Sequence, residues 1–220
     1  EPRLIADFGE RAIGRVAPVD SMMWWVILLH CYACMSGDRA FIETEDVQST
    51  LRSILELCLT DGFEVFPTLL VPDGAFMIDR RLGVYGHPLE IQSLFYGMLH
   101  AARSMLQNNA QNKVLRQKAL ERQRALRTYV RIFYWLDMER LNEIHRFDTE
   151  QFGSGSVNML NIYPESIPDW VGNWLADDTG YLVGNLGPSR MDFRVFTLGN
   201  LLAVLFDLAT SEQAFRIMDL

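Results

Sequence analysis

The chain has 220 residues, enough for one domain or part of a larger one, and its 49% apolar and 11% aromatic content suits a packed core rather than a disordered tail. A formal net charge of −8 gives no electrostatic reason to expect nucleic acid or an anionic membrane as partner, since both need a dominant basic field; a small neutral ligand fits better. Three cysteines, an odd number, argue against a disulfide framework and for a reducing compartment.

The longest apolar run, Met22 to Cys34, is interrupted by His30 and stops short of the ~18 residues a membrane-spanning helix needs, so it reads as a buried helix. Asp20 or Ser21 can cap it and Gly37 can stop it. Cys31 and Cys34 form a C-x-x-C inside this run, a spacing that raises metal or redox chemistry; without a second pair they read as inert core thiols. Val47, Leu51, Ile54, Leu55, Cys58 and Leu59 recur at three and four, which predicts an amphipathic helix from about Glu45 to Asp61, ended by Gly62. A third helix starts at Pro88 and carries Leu94, Phe95, Met98, Leu99, Ala102 and Met105. A fourth spans Lys113 to Trp135, and "LDMERLNEIHRF" (Leu136 to Phe147) continues it after a kink. Its basic series, Lys113, Arg116, Lys118, Arg122, Arg124, Arg127 and Arg131, reads as a solvated face or subunit contact. Leu198 to Ala209 makes a further apolar helix, and Ser211 opens another that runs to Leu220.

Three long connections remain, Phe63 to His87, Asp148 to Pro168 and Ala176 to Thr197, with "FEVFPTLLV" able to supply a short strand. The pattern is an all-α array whose loops gather at one end as a cup. The polar candidates sit there: Asp20, Asp73, Asp79, Glu90 and Asp192, with Arg15, Arg80, Arg81 and Arg194 near them in sequence. Aromatic side chains (Trp24, Trp25, Tyr85, Tyr163, Trp170, Tyr181) and amides (Asn158, Asn161, Asn185) complete what a sugar site needs: ring faces for the C–H face of a pyranose, and carboxylates and amides for its hydroxyls. His87 and Glu90 have a two-ligand spacing with no second such pair, so no metal is expected. There is no G-x-S-x-G, and "GSGSVN" lacks the strand and helix of a phosphate loop.

Five blocks, "FGERAIGRVAPVDSMMWW" (Phe8 to Trp25), "FPTLLVPDGAFMIDRRLGVYGHPLEIQSLFY" (Phe66 to Tyr96), "YWLDMERLNEIHRF" (Tyr134 to Phe147), "NIYPESIPDW" (Asn161 to Trp170) and "GYLVGNLGPSRMDFRVFTLGNL" (Gly180 to Leu201), resemble the neutral and alkaline invertases of plants and cyanobacteria, in consistent order over nearly the whole chain. The resemblance implies an (α/α)6 barrel, a toroid of six helical hairpins. It also implies cofactor-free hydrolysis of sucrose to glucose and fructose with inversion at the fructosyl carbon, a cytoplasmic or organellar setting, and a homo-oligomer.

The aspartate of the family's M-I-D-R-R motif, its general acid, falls on Asp79. Such an acid needs a raised pKa, so Arg80 and Arg81 are expected to point away from it. Asp20, Trp24, His87, Glu90, Gln92, Asp192 and Arg194 lie in the strongest blocks and are expected to include sugar contacts. Each also has an ordinary role available: Asp20 as a cap, Trp24 as core, Glu90 as a first-turn acid, Asp192 and Arg194 as an internal pair.

No segment matches the surroundings of the family's general base, a glutamate, and about half the helices of a full toroid are found. Residues 1–220 are therefore expected to be a single catalytic-domain fragment truncated at both ends and inactive alone. The competing expectations are an (α/α)6 glycosidase of other specificity and a non-catalytic carbohydrate-binding or assembly barrel.

Overall fold

Helices form where the apolar periodicity places them, in a computed structural model that describes residues 18–60, 66–71, 84–149, 164–187 and 190–220. Helix α1 (Val19–Ser36) ends at Gly37, whose φ of 70° lets its N–H reach the Ala33 carbonyl. The single turn α2 (Arg39–Ile42) is capped by Asp38, which accepts the Phe41 N–H. Helix α3 (Glu45–Cys58) buries the stripe Val47, Leu51, Leu55 and Cys58. Pro88 stands just before α4 (Leu89–Met105), in which every residue from Leu89 to Leu99 is buried. Then follow α5 (Lys113–Phe133), α6 (Met138–Thr149), the short α7 (Asp169–Trp174), α8 (Thr197–Leu205) and α9 (Ser211–Met218). The last is opened by a reciprocal capping box between Thr210 and Gln213.

Side-chain pairings give the helix directions. Asp20 acts electrostatically on Glu90, and the His30 and His100 rings meet edge to face at 6.2 Å, so α1 and α4 run parallel. Ser93 donates to the Gly199 carbonyl at 3.0 Å, and Gly97 lies against the Phe206 ring, so α8 runs the same way. Against this layer α5 is antiparallel: Arg116 donates to the Arg103 and Leu106 carbonyls at one end of α4, and the Tyr134 hydroxyl to the His87 carbonyl at the other. Gln48 sets α3 antiparallel too, donating to Ile42 and Met105 carbonyls and accepting the Gln107 N–H. Helix α9 lies beside the end of α5, where Gln213 donates to the Arg131 carbonyl and Arg216 reaches Asp137. Among the described residues α1, α4 and α8 thus form a parallel layer, and α3, α5 and α9 run the opposite way.

Several expectations are corrected. Helix α1 is not buried: only Asp20, Met23, Val26 and Ile27 are, while Leu28 and Met35 are 61% and 90% exposed. Its 18 residues also reach the length and apolarity at which a helix can cross a membrane; here it packs along α4. Cys31 and Cys34 are accordingly surface thiols and not core.

The array is not all-α either. The connection Ala176 to Thr197 contains β3 (Gly180–Gly187) and β4 (Arg190–Val195), an antiparallel pair. On the other edge of β3, β1 (His87–Pro88) and β2 (Trp135–Asp137) follow one another, both antiparallel to it. Strand β2 stands where a kink between helices was expected, because Asp137 accepts from the Trp135 indole, the Arg140 N–H and Arg216, ending one helix and starting the next. Within residues 66–71 the expected strand is one bridge, Val71 to Gly86.

The basic face of α5 is also partly a set of ties. Arg116, Arg122 and Arg131 donate to carbonyls of Leu106, Pro67 and Leu208 respectively.

Asn200 joins α8 to the sheet: its Oδ1 accepts the Leu182 N–H and its Nδ2 donates to the Leu182 carbonyl, both at 2.9 Å, in a buried setting. Replacing it with alanine strands two backbone groups. Asn200→Ala is expected to lower the unfolding free energy by about 2–4 kcal/mol in urea denaturation, against about 0.5 kcal/mol or less for exposed Lys113→Ala.

Candidate active site

The parallel layer turns the N-terminal ends of α1 and α4 to the same side, and this brings two carboxylates together. Asp20 lies in the first turn of α1 and Glu90 in the first turn of α4, 8% and 3% exposed. Burial, and then the charge of Asp20, push the Glu90 carboxyl up from 4.5 to about 7. Its Oε2 has no hydrogen-bond partner among the described residues, although an acid at a helix start is usually well satisfied by backbone N–H groups. Trp24 follows Asp20 by one turn and is half-buried against the core.

The strands bring up the rest. His87 and Pro88 pair with Leu186 and Asn185, and those two residues of β3 pair in turn with Met191 and Asp192 on its other side. Pro88, Asn185 and Asp192 therefore form one row two residues from Glu90. Asn185 donates to the Tyr85 carbonyl, while its Oδ1 is buried without a partner among the described residues. Gly86 must be glycine here: its φ is 134°, and a Cβ would come within 3.0 Å of the Asn185 amide.

Asp79, Arg80 and Arg81 lie outside the described residues, as do Asp73 and Tyr163. The two ends of the segment carrying Asp79 are described. Val71 and Gly86 exchange both backbone hydrogen bonds, at 2.7 and 3.3 Å. Gln92, fully buried, accepts the Leu69 N–H at 2.8 Å and donates to the Leu69 carbonyl at 2.9 Å. Both ends of its amide are thus engaged by backbone.

Asp192 and Arg194 engage each other, the Arg194 Nε donating to both carboxylate oxygens at 2.8 and 3.0 Å, with the guanidinium 5.6 Å from the Phe196 ring centre. That hydrogen bond raises the Arg194 pKa. Tyr181, an aromatic candidate by sequence, is fully buried and donates to the Phe193 carbonyl, so it offers no platform to a ligand.

An aromatic group that sequence reasoning passed over stands beside His87. The half-exposed Phe66 meets the His87 ring at 6.4 Å and Tyr129 at 5.6 Å, and Tyr129 stacks on Phe133 at 4.6 Å. Its signal was the spacing of Tyr129 and Phe133, which are one turn apart on α5. Among the described residues no three His, Cys, Asp or Glu side chains are placed to hold a metal ion.

The chain belongs to the family of alkaline and neutral invertases, glycoside hydrolases whose pattern it matches over residues 1–220. It is 53% identical over its full length to neutral/alkaline invertase 1, mitochondrial, of Oryza sativa subsp. japonica, covering 35% of that protein. It is 50% identical over 99% of its length to the probable alkaline/neutral invertase F of Arabidopsis thaliana and to cytosolic invertase 1 of Oryza sativa subsp. japonica, covering 44% and 39% of them. The chain thus spans less than half the length of these relatives.

Because the Glu90 pKa is raised on folding, the folded state holds more protons than the unfolded one between pH 4.5 and about 7. The associated stability is full below 4.5 and lost as pH rises through 7. Urea midpoints measured from pH 4.5 to 8 are expected to fall across that window, and Glu90→Gln is expected to flatten the fall.

Proposed function

We propose that the chain is part of an inverting glycoside hydrolase that cleaves sucrose to glucose and fructose, built on a toroid of six helical hairpins. The observation that carries this reading is the family match over the whole chain. A mostly helical fold with three parallel helices and three running the opposite way supports the reading.

Asp79 is the general acid, protonating the glycosidic oxygen as the fructosyl carbon gains oxocarbenium character, while water attacks from the opposite face. The general base belongs to the part of the relatives' length that this chain does not span; residues 1–220 by themselves turn over little.

Asp20 and Glu90 contact the sugar. With Glu90 half protonated near pH 7 and Asp20 beside it, the pair offers a hydroxyl both a donor and an acceptor. Trp24 and His87, with Phe66 beside the latter, supply apolar faces to the ring. Gln92 and the Asp192–Arg194 pair act on the framework around the sugar. No cofactor enters the reaction, and no nucleic acid or membrane is part of it. The setting is cytoplasmic or organellar, in keeping with relatives named cytosolic, mitochondrial and chloroplastic, and the working form is a homo-oligomer.

The test is sucrose hydrolysis followed by NMR in the protein carrying the relatives' full length. Wild type is expected to release the inverted fructose anomer, and Asp79→Asn to lose about 10²–10⁴-fold in rate. An unimpaired Asp79→Asn removes Asp79 as the acid; sucrose left intact while another glycoside is cut removes the substrate.

A further inference from the structure

We propose that Cys34 is a site of mixed-disulfide formation with a small carboxylate-bearing disulfide of the glutathione kind. The C-x-x-C of α1 stands towards the opposite end of that helix from Asp20, and both of its thiols are exposed. They differ in their surroundings. Cys34 Sγ lies 3.7 Å from His30 Nε2, one turn back on the same helix, and opens onto a cavity of about 530 Å³ between the C-terminal ends of α1 and α4. Cys31 is not among the residues lining that cavity.

His30 is held below its ordinary pKa, first by burial and then by His100, so at neutral pH it is the free imidazole that can take the thiol proton. A base is needed here, since the C-terminal end of a helix disfavours a thiolate. Arg39 and Arg116 line the same cavity against one acid, Glu43. The excess of positive charge suits a ligand with carboxylates, and the volume falls within the range of small-molecule sites.

The step is a thiol–disulfide exchange. His30 takes the Cys34 proton, and the thiolate attacks one sulfur of the incoming disulfide. The S–S bond of that molecule breaks as the Cys34–sulfur bond forms, and the departing thiolate takes the proton back from His30. One disulfide and one thiol enter, and one of each leaves, so no other oxidant is required.

Cys34 lies 14 residues beyond Asp20, about 21 Å along the helix, so the modification stands clear of the carboxylate pair and does not depend on the glycosidase assignment.

The protein is incubated with oxidised glutathione and, separately, with neutral bis(2-hydroxyethyl) disulfide, and adducts are mapped by peptide mass. Glutathione is expected on Cys34 ahead of Cys31, with His30→Gln slowing it roughly tenfold and Arg39→Ala slowing it only for the charged disulfide. Cys58, buried and with its thiol pushed up to about 11, stays unmodified while the chain is folded and so reports integrity in each variant. Equal modification of Cys31 and Cys34, or an unchanged rate in folded His30→Gln, overturns the proposal.

Discussion

Helix α4 is surrounded by protein along its first eleven residues, and three polar side chains in its opening turns must therefore find partners without water. Two of them do so by reaching backbone in other elements. Gln92 takes both groups of Leu69, and Ser93 donates to Gly199 at the start of α8. The connection before α4 and the helix that follows the sheet are thus located by hydrogen bonds whose loss would leave buried groups unpaired. Glu90 is the third, and it is not relieved in this way: one oxygen lacks a partner among the described residues, and the charged form is disfavoured. A unique polar arrangement around a buried helix and a destabilised carboxylate come from the same burial.

The parallel run of α1, α4 and α8 has an electrostatic side. Each helix carries partial positive charge at its N-terminus and partial negative charge at its C-terminus. The carboxylates sit at the first kind of end and the Cys34–His30 pair at the second. At the N-terminal side the helix field favours ionised acids and so works against the elevation that burial and Asp20 give Glu90. At the other side the field opposes a thiolate, and the imidazole offsets it.

Much of this was legible in the chain, for physical reasons that differ by element. The stripe Val47, Leu51, Leu55 and Cys58 read correctly because α3 buries one face, and one-sided burial is what periodicity reports. Helix α1 misled because an apolar run looks the same whether or not other protein covers it; its composition does not say that Leu28 and Met35 face outward. The hairpin was not assigned although "RMDFRV" alternates, with Met191 and Phe193 inward and Arg194 outward; "GYLVGNLG" is buried on both faces over Tyr181 to Asn185 and so shows no alternation. For the site, Asp20 and Glu90 could be named from their blocks but not paired, since 70 residues separate them and only the parallel packing makes them neighbours. That Gln92 is occupied by Leu69, and Asp192 by Arg194, is likewise invisible without the fold.

The closed base formed by Val71, Gly86 and Gln92 has an evolutionary consequence. A connection whose two ends are fastened to a rigid helix and to each other adds little to the cost of closure when residues are inserted or exchanged between them. Side chains between residues 72 and 83 other than Asp79 can therefore be exchanged while the Val71–Gly86 and Gln92–Leu69 hydrogen bonds, and with them the start of α4, stay in place. A lineage could retune what such a scaffold accepts at this one place without first having to re-establish a stable protein.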